Sequence, residues 1–181
     1  SWWTLGIALP LPQQQQQNPP PPPPSPPGMT YLPFQLHAIQ RLVQSPRLLL
    51  ADEMGLGKTI SVIGALHTLQ QQPQSQKLQR VLILCPKSVM PSWKQDLETW
   101  LLLSSSEEDD DDDPPWTIEM ATASKGLPFQ DEEEDLDSSS HHHHLRRVVL
   151  LMNYDIVAKF RNTLEAQGAW DVIVCDEAHY L

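Results

Sequence analysis

A glycine-containing run, Leu50 to Ile60 (LADEMGLGKTI), and an acidic pair, Asp176-Glu177, hold the residue types that handle phosphate. Gly55 and Gly57 let a backbone curl so that successive N–H groups point inward. A helix starting near Lys58 adds its own free N–H groups and the positive end of its dipole, which together make a cradle for phosphate oxygens. In that setting Lys58 reaches the β and γ phosphates of a nucleotide and the Thr59 hydroxyl ligates Mg²⁺. Asp52, Glu53, Met54, Gly55, Leu56, Gly57, Lys58 and Thr59 are therefore the candidate nucleotide-binding residues. The general pattern G-x-x-x-x-G-K-[ST] fails here, because Asp52 stands where the first glycine belongs. A chance Gly-Lys-Thr in a loop is the plainer alternative, and it is weakened by the buried strand before the loop and the helix after it.

The acidic pair follows the apolar run Val172 to Cys175, and open parallel sheets place their ligands outside the carboxyl ends of strands. Asp176 can hold Mg²⁺, directly or through water, while Glu177 can orient and deprotonate the water that attacks a γ phosphate. An isolated Asp-Glu is ordinarily a solvated strand end. Beside a Gly-Lys-Thr loop in the same domain, Lys58, Asp176 and Glu177 are instead candidate catalytic residues, Thr59 and Asp176 candidate metal ligands, and ATP with Mg²⁺ the expected ligand.

Positioning these groups needs a sheet. Apolar runs of strand type occur at Arg47 to Ala51, Arg80 to Cys85, Trp116 to Ala121, Val148 to Asn153 and Asp171 to Cys175. They lack alternation and are separated by helical patterns such as Lys58 to Gln71 and Met90 to Leu103, which predicts a doubly wound parallel α/β sheet covered on both faces. Upstream, Phe34, Leu36, Ile39, Leu42 and Val43 recur at helical spacing until Ser45-Pro46 ends the run, so a short amphipathic helix is expected there.

The rest of the chain is of another kind. Residues 1–28 are expected to be a disordered tail, since Gln13 to Gln17 and a nearly unbroken proline run cannot bury a core; a ligand for proline-recognising modules is the functional alternative. Trp2 and Trp3 ahead of it receive no role. The folded domain is expected over residues 29–181, interrupted by low-complexity inserts at 104–115 and 131–144. His141 to His144 in the second insert read as a homopolymer tract rather than a metal site.

The net charge of −11 resides in those inserts. The runs Glu107 to Asp113 and Asp131 to Asp137 hold 13 of the 23 acidic residues, and the 10 that remain face 12 lysines and arginines, so a nucleic-acid partner stays open. Two cysteines, Cys85 and Cys175, each end an apolar run and are too few for a disulfide framework, which fits a reducing compartment. No stretch reaches the roughly 18 apolar residues of a membrane helix, and the apolar start has no basic flank and is broken by Pro10 and Pro12. The chain begins at Ser1 rather than Met, so its start is expected upstream.

Five stretches in order resemble the Swi/Snf-type ATPases of helicase superfamily 2, which translocate on double-stranded DNA. LADEMGLGKTI is similar to that family's first motif, including the Asp52-Glu53 that breaks the general pattern. YLPFQLHAIQRL, Tyr31 to Leu42, resembles the upstream segment in which a glutamine reads adenine, at Gln35 here. LILCPKSVMPSWKQDLETW, Leu82 to Trp100, resembles the motif whose loop touches the nucleic-acid backbone, with Lys87 and Ser88 as candidates. LMNYDIV, Leu151 to Val157, is similar to the tyrosine-containing strand end that follows, and DEAH, Asp176 to His179, completes the set. The wording LPFQ and RLLLADEMGLGKT is similar to the annealing-helicase branch.

The resemblance implies the first of two RecA-like lobes, with ATP between them and DNA across both. It further implies a nuclear chromatin or replication-fork remodeller, double-stranded or forked DNA as partner, and protein partners for the Gln/Pro-rich tail. The chain ends two residues after His179, and the arginine finger that completes such sites comes from the second lobe. A truncated lobe, inactive or nearly so by itself, is the expectation. The alternatives are a DEAH-type RNA helicase and a non-hydrolysing, ATP-gated interaction module.

Overall fold

The computed structural model describes residues 5–8, 23–45, 47–71, 78–102, 116–124, 126–127, 147–166 and 168–178. In chain order these form β1 (Leu5–Ala8), α1 (Pro33–Gln44), β2 (Arg47–Leu50), α2 (Lys58–Gln70), β3 (Arg80–Cys85), α3 (Met90–Leu97), β4 (Trp116–Met120), β5 (Arg147–Asn153), α4 (Tyr154–Ala166) and β6 (Val172–Cys175). One six-stranded sheet runs in the order β2-β1-β6-β3-β5-β4. The pairs β4–β5, β5–β3 and β3–β6 are all parallel. These are four of the five strands expected from the apolar runs; β2 is the fifth, and it runs parallel to β6 across one intervening strand.

The absence of alternation in those runs has its cause in the layers. Val81, Ile83 and Cys85 of β3, Val149 and Leu151 of β5, and Val172 and Val174 of β6 bury against α1, α2 and α3 on one face. Leu82, Leu84, Leu150 and Met152 point to the other face, where Ile156, Phe160 and Leu164 of α4 cover them. A strand buried on both sides needs apolar residues at every position. At the amino ends of β3 and β6, one oxygen of Asp171 accepts the N–H groups of Gln79 and Arg80 at 2.8 Å each.

Three expectations need correction. Leu5–Ala8, inside the expected tail, forms β1, which inserts antiparallel between β2 and β6. Four apolar residues before a proline carry no readable period, so nothing in the sequence marks them as a strand. Residues 23–28, also assigned to the tail, lie against the domain: Pro23 and Pro26 are buried, and the Tyr31 hydroxyl donates to the Pro24 carbonyl at 3.3 Å. A proline run cannot donate from its backbone, but its carbonyls accept, and the half-buried Tyr31 phenol needs an acceptor. The helix expected to Leu103 is α-helical only to Leu97 and widens into a π turn over Glu98–Leu102. There the Thr99 hydroxyl donates to the Gln95 carbonyl at 2.8 Å, and such back-bonding competes with the regular ladder.

The inserts at 104–115 and 131–144, with His141 to His144, lie outside the described residues, as do Trp2, Trp3 and His179.

Candidate nucleotide site

β2 delivers the chain to an exposed loop, Ala51 to Leu56, and α2 takes over at Lys58. Two glycines make the turn possible: Gly55 has φ 82° and Gly57, the residue before the helix, has φ 72°, a left-handed backbone at which a side chain is strained. The Lys58 ammonium donates to the carbonyls of Asp52 and Glu53 at 2.9 Å each, so the lysine curls back over the loop that its helix closes. Thr59, half-buried, lies one residue further into the same first turn. Loop, lysine and helix start therefore lie together at the end of β2.

Gln35 sits directly against this loop. Its Oε1 accepts the Leu32 N–H at 2.9 Å and its Nε2 donates to the Leu56 carbonyl at 3.2 Å. A Cβ added at Gly57 would meet that Nε2 at 2.5 Å. The side chain is 7% exposed, and it joins the start of α1 to the phosphate loop. The glutamine retains one amide hydrogen and one lone pair beyond these bonds.

The acidic pair leaves the sheet at the end of β6, and Asp176 is fastened from three other elements. Its N–H donates to the Leu84 carbonyl of β3 at 2.8 Å, and its own carbonyl accepts the Tyr154 hydroxyl, at the start of α4, at 2.7 Å. Its Oδ2 accepts the indole N–H of Trp93, from α3, at 2.8 Å. Glu177 follows with φ 52°, the one non-glycine residue with positive φ among those described. Around the pair the titratable groups are held neutral. Burial pushes the Cys85 thiol up to about 12, with the Asp176 charge adding to it. Burial also raises Tyr154, reinforced by the charge of Asp176. The Cys175 thiol is raised by burial as well, with Tyr154 partly offsetting the effect.

The register shows how the two halves meet. Gly6 of β1 pairs with Leu49 on one side and with Cys175 on the other, so Leu50 and Asp176 emerge level at the same edge. With one strand between them the chains lie about 10 Å apart, at roughly 4.8 Å per strand spacing. A polyphosphate can span that gap. Among the described residues no group of three or more His, Cys, Asp or Glu comes together as a metal cage. Mg²⁺ suits this donor set, because it takes one or two carboxylates and completes its shell with phosphates and water. Thr59 and Asp176 are the residues that would hold it.

Lys87 and Ser88 are exposed on a short 3-10 turn, Lys87–Val89, between β3 and α3. Leu84 is level with Cys175, so this turn leaves the sheet at the edge used by the other two loops. Sequence reasoning missed Trp93 and Tyr154 as partners of Asp176. Met90, Trp93 and Leu97 form the buried face of α3. A buried indole N–H needs an acceptor, but the acceptor lies 83 positions away in the chain.

The sequence pattern of the SNF2-related domain matches residues 15–181. RNA polymerase-associated protein RapA of Yersinia enterocolitica is 32% identical over 154 residues, covering 83% of this chain and 14% of RapA. RapA proteins of Yersinia pseudotuberculosis and Yersinia pestis match over the same length at 32% and 31% identity. The chain thus spans about 14% of the length of these curated relatives.

Proposed function

The chain belongs to the SNF2-related domain family, ATPases of the Swi/Snf type in helicase superfamily 2, and from that premise we propose a specific role for it. Residues 29–181 are the ATP-binding, RecA-like first lobe of a motor that couples ATP hydrolysis to movement along double-stranded DNA. The observation that carries this reading is the shared sheet edge, where the phosphate loop after Leu50 and the acids after Cys175 emerge level from parallel strands.

In this reading Lys58 leaves the carbonyls of Asp52 and Glu53 for the β and γ phosphates, and the loop N–H groups of residues 55–59 hold the remaining oxygens. Thr59 and Asp176 would hold Mg²⁺, which would supply positive charge against the phosphates. Glu177 orients the attacking water and takes its proton, acting at the one non-glycine position among the described residues where the backbone turns left-handed. Gln35, already touching the loop through Leu56, reads adenine with its remaining donor and acceptor. Lys87 and Ser88 contact the DNA backbone, which gives affinity without base specificity.

The family resemblance carries the finer context: a chromatin or replication-fork remodeller, resident in the nucleus, with the Gln/Pro-rich tail engaging protein partners. The polymerase in the RapA name is a property of those longer proteins, of which the matched lobe is 14%.

Calorimetric titration of the 181-residue chain with Mg²⁺–ADP tests the site, and Lys58→Ala is expected to abolish binding. Nucleotide binding that survives Lys58→Ala overturns the reading. In a protein that also carries the second lobe, duplex DNA is expected to stimulate turnover and RNA is not, while the 181-residue chain alone shows no DNA-stimulated turnover. Stimulation by RNA alone would assign the motor to RNA. Binding with no turnover in the two-lobed protein would leave an ATP-gated interaction module.

A further inference from the structure

Trp93 is 2% exposed in α3, and its indole N–H is 2.8 Å from Oδ2 of Asp176. A buried tryptophan needs an acceptor for its N–H, and a backbone carbonyl usually serves. Here the acceptor is a carboxylate on the functional edge. The geometry points to Trp93 as a positioning residue for the metal: it fixes the Asp176 carboxylate in the orientation that offers Oδ1 to Mg²⁺. This inference rests on the nucleotide-site reading given above and adds to it a residue that the family motifs do not assign to that site.

The argument is one of remaining freedom. The main chain of Asp176 is already held at both ends, by the Leu84 carbonyl at 2.8 Å and by the Tyr154 hydroxyl at 2.7 Å. What remains free is rotation of the carboxylate about its own bond, and the indole removes it. An indole can only donate, so it competes with no metal ligand. A hydrogen bond to a charged acceptor is about twice as strong as a neutral one, and it is worth more where water is excluded. With Oδ2 engaged, Oδ1 is the oxygen left for the cation. Partners of this kind behind a metal ligand typically change metal affinity 10- to 100-fold when lost, by the general behaviour of metal sites.

Trp93→Phe keeps an aromatic ring in the core and removes the N–H. In the 181-residue chain, Mn²⁺ binding to the ADP complex is read by electron paramagnetic resonance, and ADP binding without metal by calorimetry. The expected result is a loss of Mn²⁺ affinity of about tenfold or more, with metal-free ADP affinity unchanged. Mn²⁺ affinity within twofold of wild type overturns the proposal. A parallel fall in metal-free ADP affinity also overturns it, because Trp93 would then be a core residue only. If wild type shows no Lys58-dependent ADP binding, the nucleotide-site reading itself has failed, which is a separate outcome.

Should Trp93→Phe fail to fold by circular dichroism, the wild-type chain still decides. The Trp93 indole proton, identified in nitrogen-15 spectra, is expected to shift when Mg²⁺ is added to the ADP complex and not when Mg²⁺ is added to Asp176→Asn. A resonance indifferent to Mg²⁺ in wild type overturns the proposal.

Discussion

Glu177 shows what a single residue gives up for its place. Its φ of 52° lies in the left-handed region, where a residue with a Cβ is disfavoured by about 1–2 kcal/mol, whereas Gly55 and Gly57 occupy the same region freely. The surroundings leave it little choice, because Asp176 just before it is bonded to β3, α3 and α4 and the chain must turn off the sheet at once. Strain of this kind persists where the neighbours over-determine it, and it clusters at functional positions. Glu177→Gly is therefore expected to raise the melting temperature of the chain slightly while abolishing turnover in the two-lobed protein. Glu177→Gln keeps the strain and is expected to lower turnover about 10²- to 10⁴-fold with ADP affinity unchanged, the usual range for loss of a general base. Melting curves and steady-state rates on both variants check this, and a Glu177→Gln protein with normal turnover would remove the residue from the mechanism. The identity and spacing of this acid were legible in the sequence. Its backbone conformation was not, since nothing local asks for a left-handed glutamate.

Between helices, close approach decides what a small residue is for. Gly64 stands in the middle of α2, where glycine costs about 1 kcal/mol against alanine. In the fold, a Cβ at Gly64 would lie 2.6 Å from Ile39 Cδ1 and 3.1 Å from Tyr31 Cε1. Both neighbours are constrained, because Ile39 is 2% exposed and the Tyr31 ring packs on Trp100 with centroids 5.1 Å apart. Overpacking a tight core typically costs about 1–3 kcal/mol, which exceeds the gain in helix propensity. Gly64→Ala is accordingly expected to destabilise the chain by up to about 2 kcal/mol net, measured by urea unfolding. The same displacement of α1 moves Gln35 away from the Leu56 carbonyl, so a weaker affinity for ADP should accompany the loss of stability. A variant as stable as wild type would show that the Ile39 terminus yields without moving its helix. Helix and strand positions were largely legible here, because the apolar runs of β3 and β5 and the period of α1 each report burial directly. Contacts such as Gly64 with Ile39 were not, for they depend on how two correctly read helices are pressed together.

At the scale of the whole molecule, the proposed nucleotide site is built around a strand the sequence did not reveal. β2 and β6 carry the two halves of the site and do not pair with each other; β1 lies between them and bonds to both. Two strand edges two spacings apart with nothing between them would each leave a row of unpaired N–H and C=O groups, which a sheet does not tolerate when buried. Some segment must therefore fill the slot, and in this chain it is Leu5–Ala8, which lies outside the 15–181 span matched by the family pattern. A domain boundary drawn from that span, or from the start of the periodic sequence near Tyr31, removes the strand that sets the spacing between Lys58 and Asp176. Deleting residues 1–8 is expected to lower the melting temperature and to weaken Mg²⁺–ADP binding by at least tenfold, a change of about 1.4 kcal/mol. Deleting the five glutamines Gln13 to Gln17 should do neither, and so serves as the control for shortening the chain. If both deletions bind ADP as wild type does, β1 is a removable lining of the slot and the spacing is set by β3 and the helices alone.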